Sequence, residues 1–206
     1  MRAPEATRME QAAERIDSSS VGDPVRHCPF DHLASAFERL PPAPTAGGRL
    51  ALVVRRREGG RREHLDRVRL TPEAGVPGDA WGRRLPLLAD AQITVMQTDV
   101  AELVANGQPL ALFGDNLFLD LDLSAGNLPV GSRVRIGEAV LEVTPKPHNG
   151  CRKFLGRFGK DALRFVAQPE LRHRNLRGIY LRVVEAGDVQ VGDAVEVLAR
   201  GTPATA

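Results

Sequence analysis

From residue 49 to residue 200, apolar and polar positions alternate in short runs punctuated by glycine and proline, a pattern of strands rather than helices. Residues 132–136 (Ser-Arg-Val-Arg-Ile) and 193–198 alternate with a period of two, and each run follows a Val-Gly pair, Val130-Gly131 and Val191-Gly192. Nothing between the two runs recurs, so they are not a repeat array. Residues 50–56 and 64–70 flank Glu58-Gly59-Gly60 and predict a hairpin, and further strands are expected near 91–96, 117–121, 139–144 and 178–185. Three stretches have helical spacing instead. Phe30, Leu33, Ala34, Phe37 and Leu40 define a helix with Asp31 as its cap and Pro41-Pro42 as its stop. Residues 98–105 predict a short helix capped by Thr98 and closed by Gly107, and residues 161–167 another, ended by Pro169. Many short strands with few helices indicate a mostly β, barrel-like fold.

The same reading divides the chain. Residues 1–24 are polar and unpatterned, end near Ser18-Ser19-Ser20, and are expected to form a mobile tail; residues 25–48 hold the short helix and a proline-rich linker from 41 to 48; residues 49–200 are the main domain. At 206 residues the chain suffices for one domain with a sizeable core. Lys and Arg number 28 against 26 Asp and Glu, a net charge of +2, which does not imply a nucleic-acid or anionic-membrane surface. Aromatic residues at 4% argue against a base-stacking platform, so no nucleic-acid partner is expected. No stretch is long and apolar enough to cross a membrane, and Met1-Arg2-Ala3-Pro4-Glu5 has no apolar run of the kind a secretory signal carries. A cytoplasmic location is therefore expected, where a thiol stays reduced.

Two cysteines, Cys28 and Cys151, cannot make a disulfide framework, and it is Cys151 that draws attention. It lies in Lys146-Pro147-His148-Asn149-Gly150-Cys151-Arg152-Lys153, just past a strand that Pro145 and Pro147 must end, and Arg157 adds another positive charge nearby in sequence. Positive charge favours the thiolate, which attacks electrophiles or ligates soft metals, and Gly150 leaves room for a backbone or cofactor to approach. Two readings stay open on local sequence: a reactive or metal-binding loop, or a small buried hydrophobe in a basic loop. His148 can tune the thiol or move a proton, or is a solvated loop histidine. Arg83 and Arg84, beside the only tryptophan, are candidates for one wall of an anion site. Cys28 and His32 fall at helical spacing, but a closed zinc site needs four ligands, and a helix start is the plainer account.

Gly75-Val76-Pro77-Gly78-Asp79, Gly114-Asp115-Asn116-Leu117, Leu128-Pro129-Val130-Gly131 leading to Ile136-Gly137, Val143-Thr144 ahead of Cys151, and Arg177-Gly178-Ile179-Tyr180 before Val191-Gly192-Asp193 follow one another in an order that resembles the MOSC domain, the C-terminal domain of molybdenum cofactor sulfurases. The resemblance runs over residues 49–198 and implies a MOSC-type β-barrel-like domain that binds a molybdopterin-type molybdenum cofactor. It implies Cys151 as molybdenum ligand or sulfur carrier, beside which His148 is the candidate catalytic neighbour. Candidate cofactor contacts are Asn116, at a strand start, which can hydrogen-bond a pterin edge or phosphate or is a turn residue, Asn149 on the cysteine loop, and Arg152 and Lys153, which can pair with the cofactor's phosphate or are merely solvated. Some members handle sulfur, and others reduce N-hydroxylated compounds. An oxidoreductase of the second kind is the first expectation, drawing electrons from a separate donor protein because the chain has no flavin or iron–sulfur motif. The alternative is a sulfurtransferase module that takes a persulfide on Cys151 from a cysteine desulfurase. Departures from the pattern are Ala80-Trp81-Gly82-Arg83-Arg84 where stand-alone bacterial members often have a histidine- and glycine-rich stretch, and Gly150 where many have proline. No counterpart of the sulfurases' aminotransferase-like domain is seen, so pyridoxal phosphate is not expected.

Overall fold

A computed structural model of the chain describes residues 22–202 and, before them, a three-residue strand, β1 (Arg15–Asp17). Most of the tail expected over residues 1–24 lies outside the described residues. The helix α1 (Phe30–Glu38) leads into β2 (Gly47–Arg56), β3 (Arg61–His64) and β4 (Arg67–Leu70). Then come β5 (Ile93–Gln97), α2 (Thr98–Ala105), β6 (Leu117–Leu119), β7 (Arg133–Ile136), β8 (Ala139–Val143), α3 (Arg152–Val166), β9 (Ile179–Glu185), β10 (Gly187–Gln190) and β11 (Ala194–Ala199). Seven strands, in the order β2-β11-β7-β8-β9-β5-β6, form a ring that closes where β6 pairs back onto β2. All pairs in the ring are antiparallel except β5 with β6, whose parallel pairing requires the crossover that α2 provides. Closure removes the sheet edges, and β3 extends one side of β2 beyond the ring.

The period-two alternation of the strands divides the side chains between two cores. Val53, Val95, Leu117, Leu119, Val134, Ile136 and Leu141 fill the barrel interior. The intervening positions Val54, Met96 and Phe118 point outward, where α1, α2 and α3 cover them with Leu33, Val100, Val104, Phe154, Phe158 and Phe165. That is why all five residues of β5 are buried: one face meets the barrel core and the other the helices. In the helical layer Phe113 stacks on Phe158 at 4.2 Å between centroids and meets Phe154 edge-on.

Several predicted elements shift. The run 64–70 is two strands: β3 pairs with β2, whereas β4 turns away at Asp66 and pairs with β10, a strand absent from the sequence reading. Asp31 does not cap α1; Pro29 occupies that position and Asp31 sits in the first turn. Thr98 does not cap α2 either, since Gln97 precedes it without a side-chain bond and the Thr98 hydroxyl is buried; the helix ends at Asn106, in the left-handed conformation, followed by Gly107. The largest difference is α3. Expected only over 161–167, it begins at Arg152 directly after Cys151 and runs through a break at Gly159.

Candidate functional site

Several of the motifs that carried the resemblance meet at one end of the barrel, while Gly137 and Asp193 lie together at the other. Arg56 is the last residue of β2; Asp79 sits in the loop before the short turn Trp81–Arg83; Asp115 and Asn116 immediately precede β6; Lys146–Gly150 follow β8; and Arg177 and Tyr180 bracket the start of β9.

Two buried carboxylates organise this end. Asp79 accepts from the Arg56 guanidinium, with Nη2 to Oδ2 at 2.5 Å, and from the backbone N–H groups of Arg56 and Trp81. Burial alone would raise its pKa, but the hydrogen bonds and charge of Arg56, with the two backbone donors, outweigh it and hold the carboxyl below its ordinary range. Asp115, fully buried, accepts from Arg177 Nη1 at 2.7 Å. The Arg177 guanidinium also lies 5.3 Å above the Phe154 ring, so the first turn of α3 packs on the same side chain that holds Asp115.

His148 reaches into this network. Its side chain is only 7% exposed, its Nε2 lies 3.5 Å from Asp115 Oδ1, and its ring tilts against Tyr180 at 4.6 Å. Burial is the largest influence and lowers its pKa to about 3; Asp115 opposes this, but Arg177 and Arg56 add to it. The pair is thus a neutral imidazole facing a carboxylate whose charge Arg177 has already taken, rather than an ion pair. Nε2 faces Asp115 Oδ1 without a hydrogen bond, and both that oxygen and the ring's Nδ1 are buried without a hydrogen-bond partner among the described residues. Burial and Asp115 push the Tyr180 phenol up, so it keeps its proton at neutral pH.

Cations dominate what surrounds the carboxylates. Arg62 is buried, donates Nη1 to the Gly60 carbonyl at 2.6 Å, and has a buried Nε without a hydrogen-bond partner. Burial and the nearby Arg157 and Arg56 lower it to about 10, against the pull of Asp79 and Asp115. Arg56, Arg84 and Lys146 line a pocket of about 160 Å³ whose other walls include Trp81, Leu88 and Tyr180. Arg157, one turn into α3, donates to the Leu112 carbonyl at 2.7 Å and lies within electrostatic reach of Cys151.

Each residue singled out in the sequence has a definite place. Cys151 is exposed and occupies the position before the first turn of α3. Gly150 ahead of it is a close-approach glycine, since a Cβ there would collide with the Leu163 side chain. His148 is buried beside Asp115, not solvated. Asn149 is exposed on the same loop, and Arg152 and Lys153 are exposed in the first helical turn rather than in a loop. Asn116 is fully buried: its Oδ1 accepts from the Thr94 N–H and its Nδ2 donates to the Val54 carbonyl, so its amide clamps β2, β5 and β6 together. Arg84 lines the cationic pocket, while Arg83 donates to the carbonyls of Gly78 and Arg56 behind it. Cys28 is buried and His32 exposed, and no group of three or more His, Cys, Asp or Glu able to hold a metal exists among the described residues. Sequence reasoning passed over Asp79, Asp115, Arg62 and Arg177, although Asp79, Asp115 and Arg177 stand inside the motifs it quoted.

The pattern of the MOSC domain matches residues 79–196. The chain belongs to the MOSC family. Among solved structures, the YUAD protein from Bacillus subtilis superposes with a TM-score of 0.52 at 19% identity, over 75% of this chain and 97% of that one. YiiM from Escherichia coli gives 0.49 at 21% identity, over 75% and 71% of the two chains. No curated protein matches this MOSC chain. MOSC domains are associated with molybdenum cofactor, and the residues here fit such a group: Arg56, Arg84 and Lys146 converge on one pocket, the buried Nε of Arg62 lacks a hydrogen-bond partner, and the loop that starts at Lys146 leads to an exposed thiol.

Proposed function

We propose that this protein binds a molybdopterin-type cofactor at the described end of the barrel and acts as an oxidoreductase on N-hydroxylated compounds, with Cys151 as the molybdenum ligand. The observation that carries the reading is a pocket lined by three cations, Arg56, Arg84 and Lys146, with Asp79 the one carboxylate paired to them among the described residues, on the loop that leads to the exposed thiol of Cys151. Arg56, Arg84 and Lys146 would hold the cofactor's phosphate, and Cys151 its metal. A bound cofactor of this type supplies two-electron oxygen-atom transfer.

The protein's own residues have defined tasks around it. Arg177 and Asp115 fix the loop from Lys146 to Gly150, and so the position of Cys151, by holding His148 from beneath. Neutral at physiological pH, His148 offers an unpartnered ring nitrogen as an acceptor and does not deliver a proton. The phenol of Tyr180 keeps its proton and is the O–H donor of the pocket, while Trp81 and Leu88 exclude water from its wall. Electrons come from a separate donor protein. A second reading, a persulfide carrier fed by a cysteine desulfurase, draws on the exposure of Cys151, which another protein's active site can reach.

Pterin content separates the readings. Protein made in cofactor-competent cells should release an oxidised, fluorescent pterin at close to one per chain, and the double variant Arg84→Gln, Lys146→Gln should retain less than about a tenth of it. Wild-type protein free of pterin but carrying a persulfide at Cys151 by mass spectrometry would overturn the oxidoreductase reading in favour of the carrier.

A further inference from the structure

The loop that carries His148 has two sides. Lys146 closes the cationic pocket, whereas Pro147, His148, Asn149 and Gly150 form a wall of a second cavity of about 390 Å³, between the loop, the second half of α3 and the turn Pro169–Arg174. Its volume is that of a small-molecule site. Leu163, Val166 and Leu176 give it an apolar surface, Arg172 and Arg177 give it two guanidiniums, and no carboxylate lines it. The Arg177 side chain is 7% exposed, and its buried Nε has no hydrogen-bond partner. Arg172 forms no ion pair with any described residue, although it is free to reach one from its exposed turn. Of the three side-chain amides at the cavity, Asn149, Gln168 and Asn175, the last two donate their N–H groups to the carbonyls of Phe165 and Leu123, which leaves their oxygens as acceptors.

A cavity with two guanidiniums, no carboxylate and a continuous apolar side selects a ligand that is anionic at one end and apolar at the other. We propose that it is a second binding site, for a small amphipathic organic acid, with the carboxylate on Arg172 and Arg177 and the body on Leu163, Val166 and Leu176. The cavity is distinct from the cationic pocket but adjoins it through the loop that leads to Cys151, through His148 and through Arg177, whose Nη1 is held by Asp115 while its Nε stays unpartnered. Its existence does not depend on the cofactor reading.

Hexanoate is the probe, added to metal-free protein and followed by NMR shifts of the Asn149, Gly150 and Gln168 amides. Hexanol lacks the charge and acetate lacks the body, so each should bind at least about tenfold more weakly than hexanoate. Arg172→Gln, a change on an exposed turn, should weaken hexanoate by about tenfold. Ala167→Trp, which fills the cavity from its exposed rim, should abolish the shifts. No shifts with hexanoate up to about 10 mM, hexanol binding as well as hexanoate, or both variants binding hexanoate like the wild type would each overturn the proposal.

Discussion

His148 makes the stability of this protein sensitive to pH in a window where carboxylates are still ionised. Its folded pKa is lowered to about 3 from an ordinary 6.5, because burial disfavours the imidazolium and Arg177 and Arg56 repel it. Between those values the unfolded chain binds a proton that the folded chain does not, so stability falls as the pH drops below about 6.5, and the loss is complete below about 3. At pH 5 the two pKa values correspond to a loss of about 2 kcal/mol relative to pH 7.5. Asp79 moves the same way but later: its folded pKa is held below 3.8, so its contribution, present above that value, is lost only as the pH falls beneath it. Urea unfolding of the wild type and His148→Gln at pH 7.5 and pH 5 measures the difference, glutamine keeping an N–H for Asp115. The variant should lose about 2 kcal/mol less over this interval. Equal losses in the two proteins, or a folded-state imidazole NMR signal titrating near the ordinary histidine value, would refute the reasoning.

Three further outcomes follow from the packing. Asp79→Asn leaves Arg56 facing a neutral amide in a half-buried position and should cost about 3 kcal/mol in urea unfolding, whereas no loss would mean that the Arg56 pair is not holding the β2 end. Phe158→Ala empties a fully buried site stacked on Phe113, with an expected cost of about 3–5 kcal/mol by the same measurement. A thiol reagent should titrate one cysteine quickly in the native protein, Cys151, and the second only on unfolding, because Cys28 is buried and its thiol is pushed up by burial.

The barrel was legible because its strands alternate: Arg133-Val134-Arg135-Ile136 places its two apolar residues inside and its two arginines outside. α3 was read at half its length because Gly156, Gly159 and a dense set of cations masked a stripe, Phe154, Phe158, Ala162 and Phe165, that does follow helical spacing. The strand β10 was invisible since four residues beginning at Gly187 and including Asp188 carry little strand preference, and its partner β4 lies more than a hundred residues earlier. The cysteine loop stood out because its chemistry is local. What holds it does not: Arg177 meets Asp115 across 62 positions, and His148 meets Asp115 across the barrel end. A local reading therefore tied His148 to the thiol and missed its carboxylate neighbour, offered Asn116 as a cofactor contact although its amide is bound up between strands, and passed over the adjacent Asp115, which organises the site.

The central claim is that Cys151 holds molybdenum, and the metal content of wild-type and Cys151→Ser protein purified from cells that make the cofactor tests it most directly. Cys151 is exposed, so the exchange of sulfur for oxygen should leave the fold intact, which the unfolding midpoint checks. The account predicts molybdenum at close to one per wild-type chain and a loss of most of it in the variant. Equal molybdenum in the two proteins, with the fold unchanged, would contradict it.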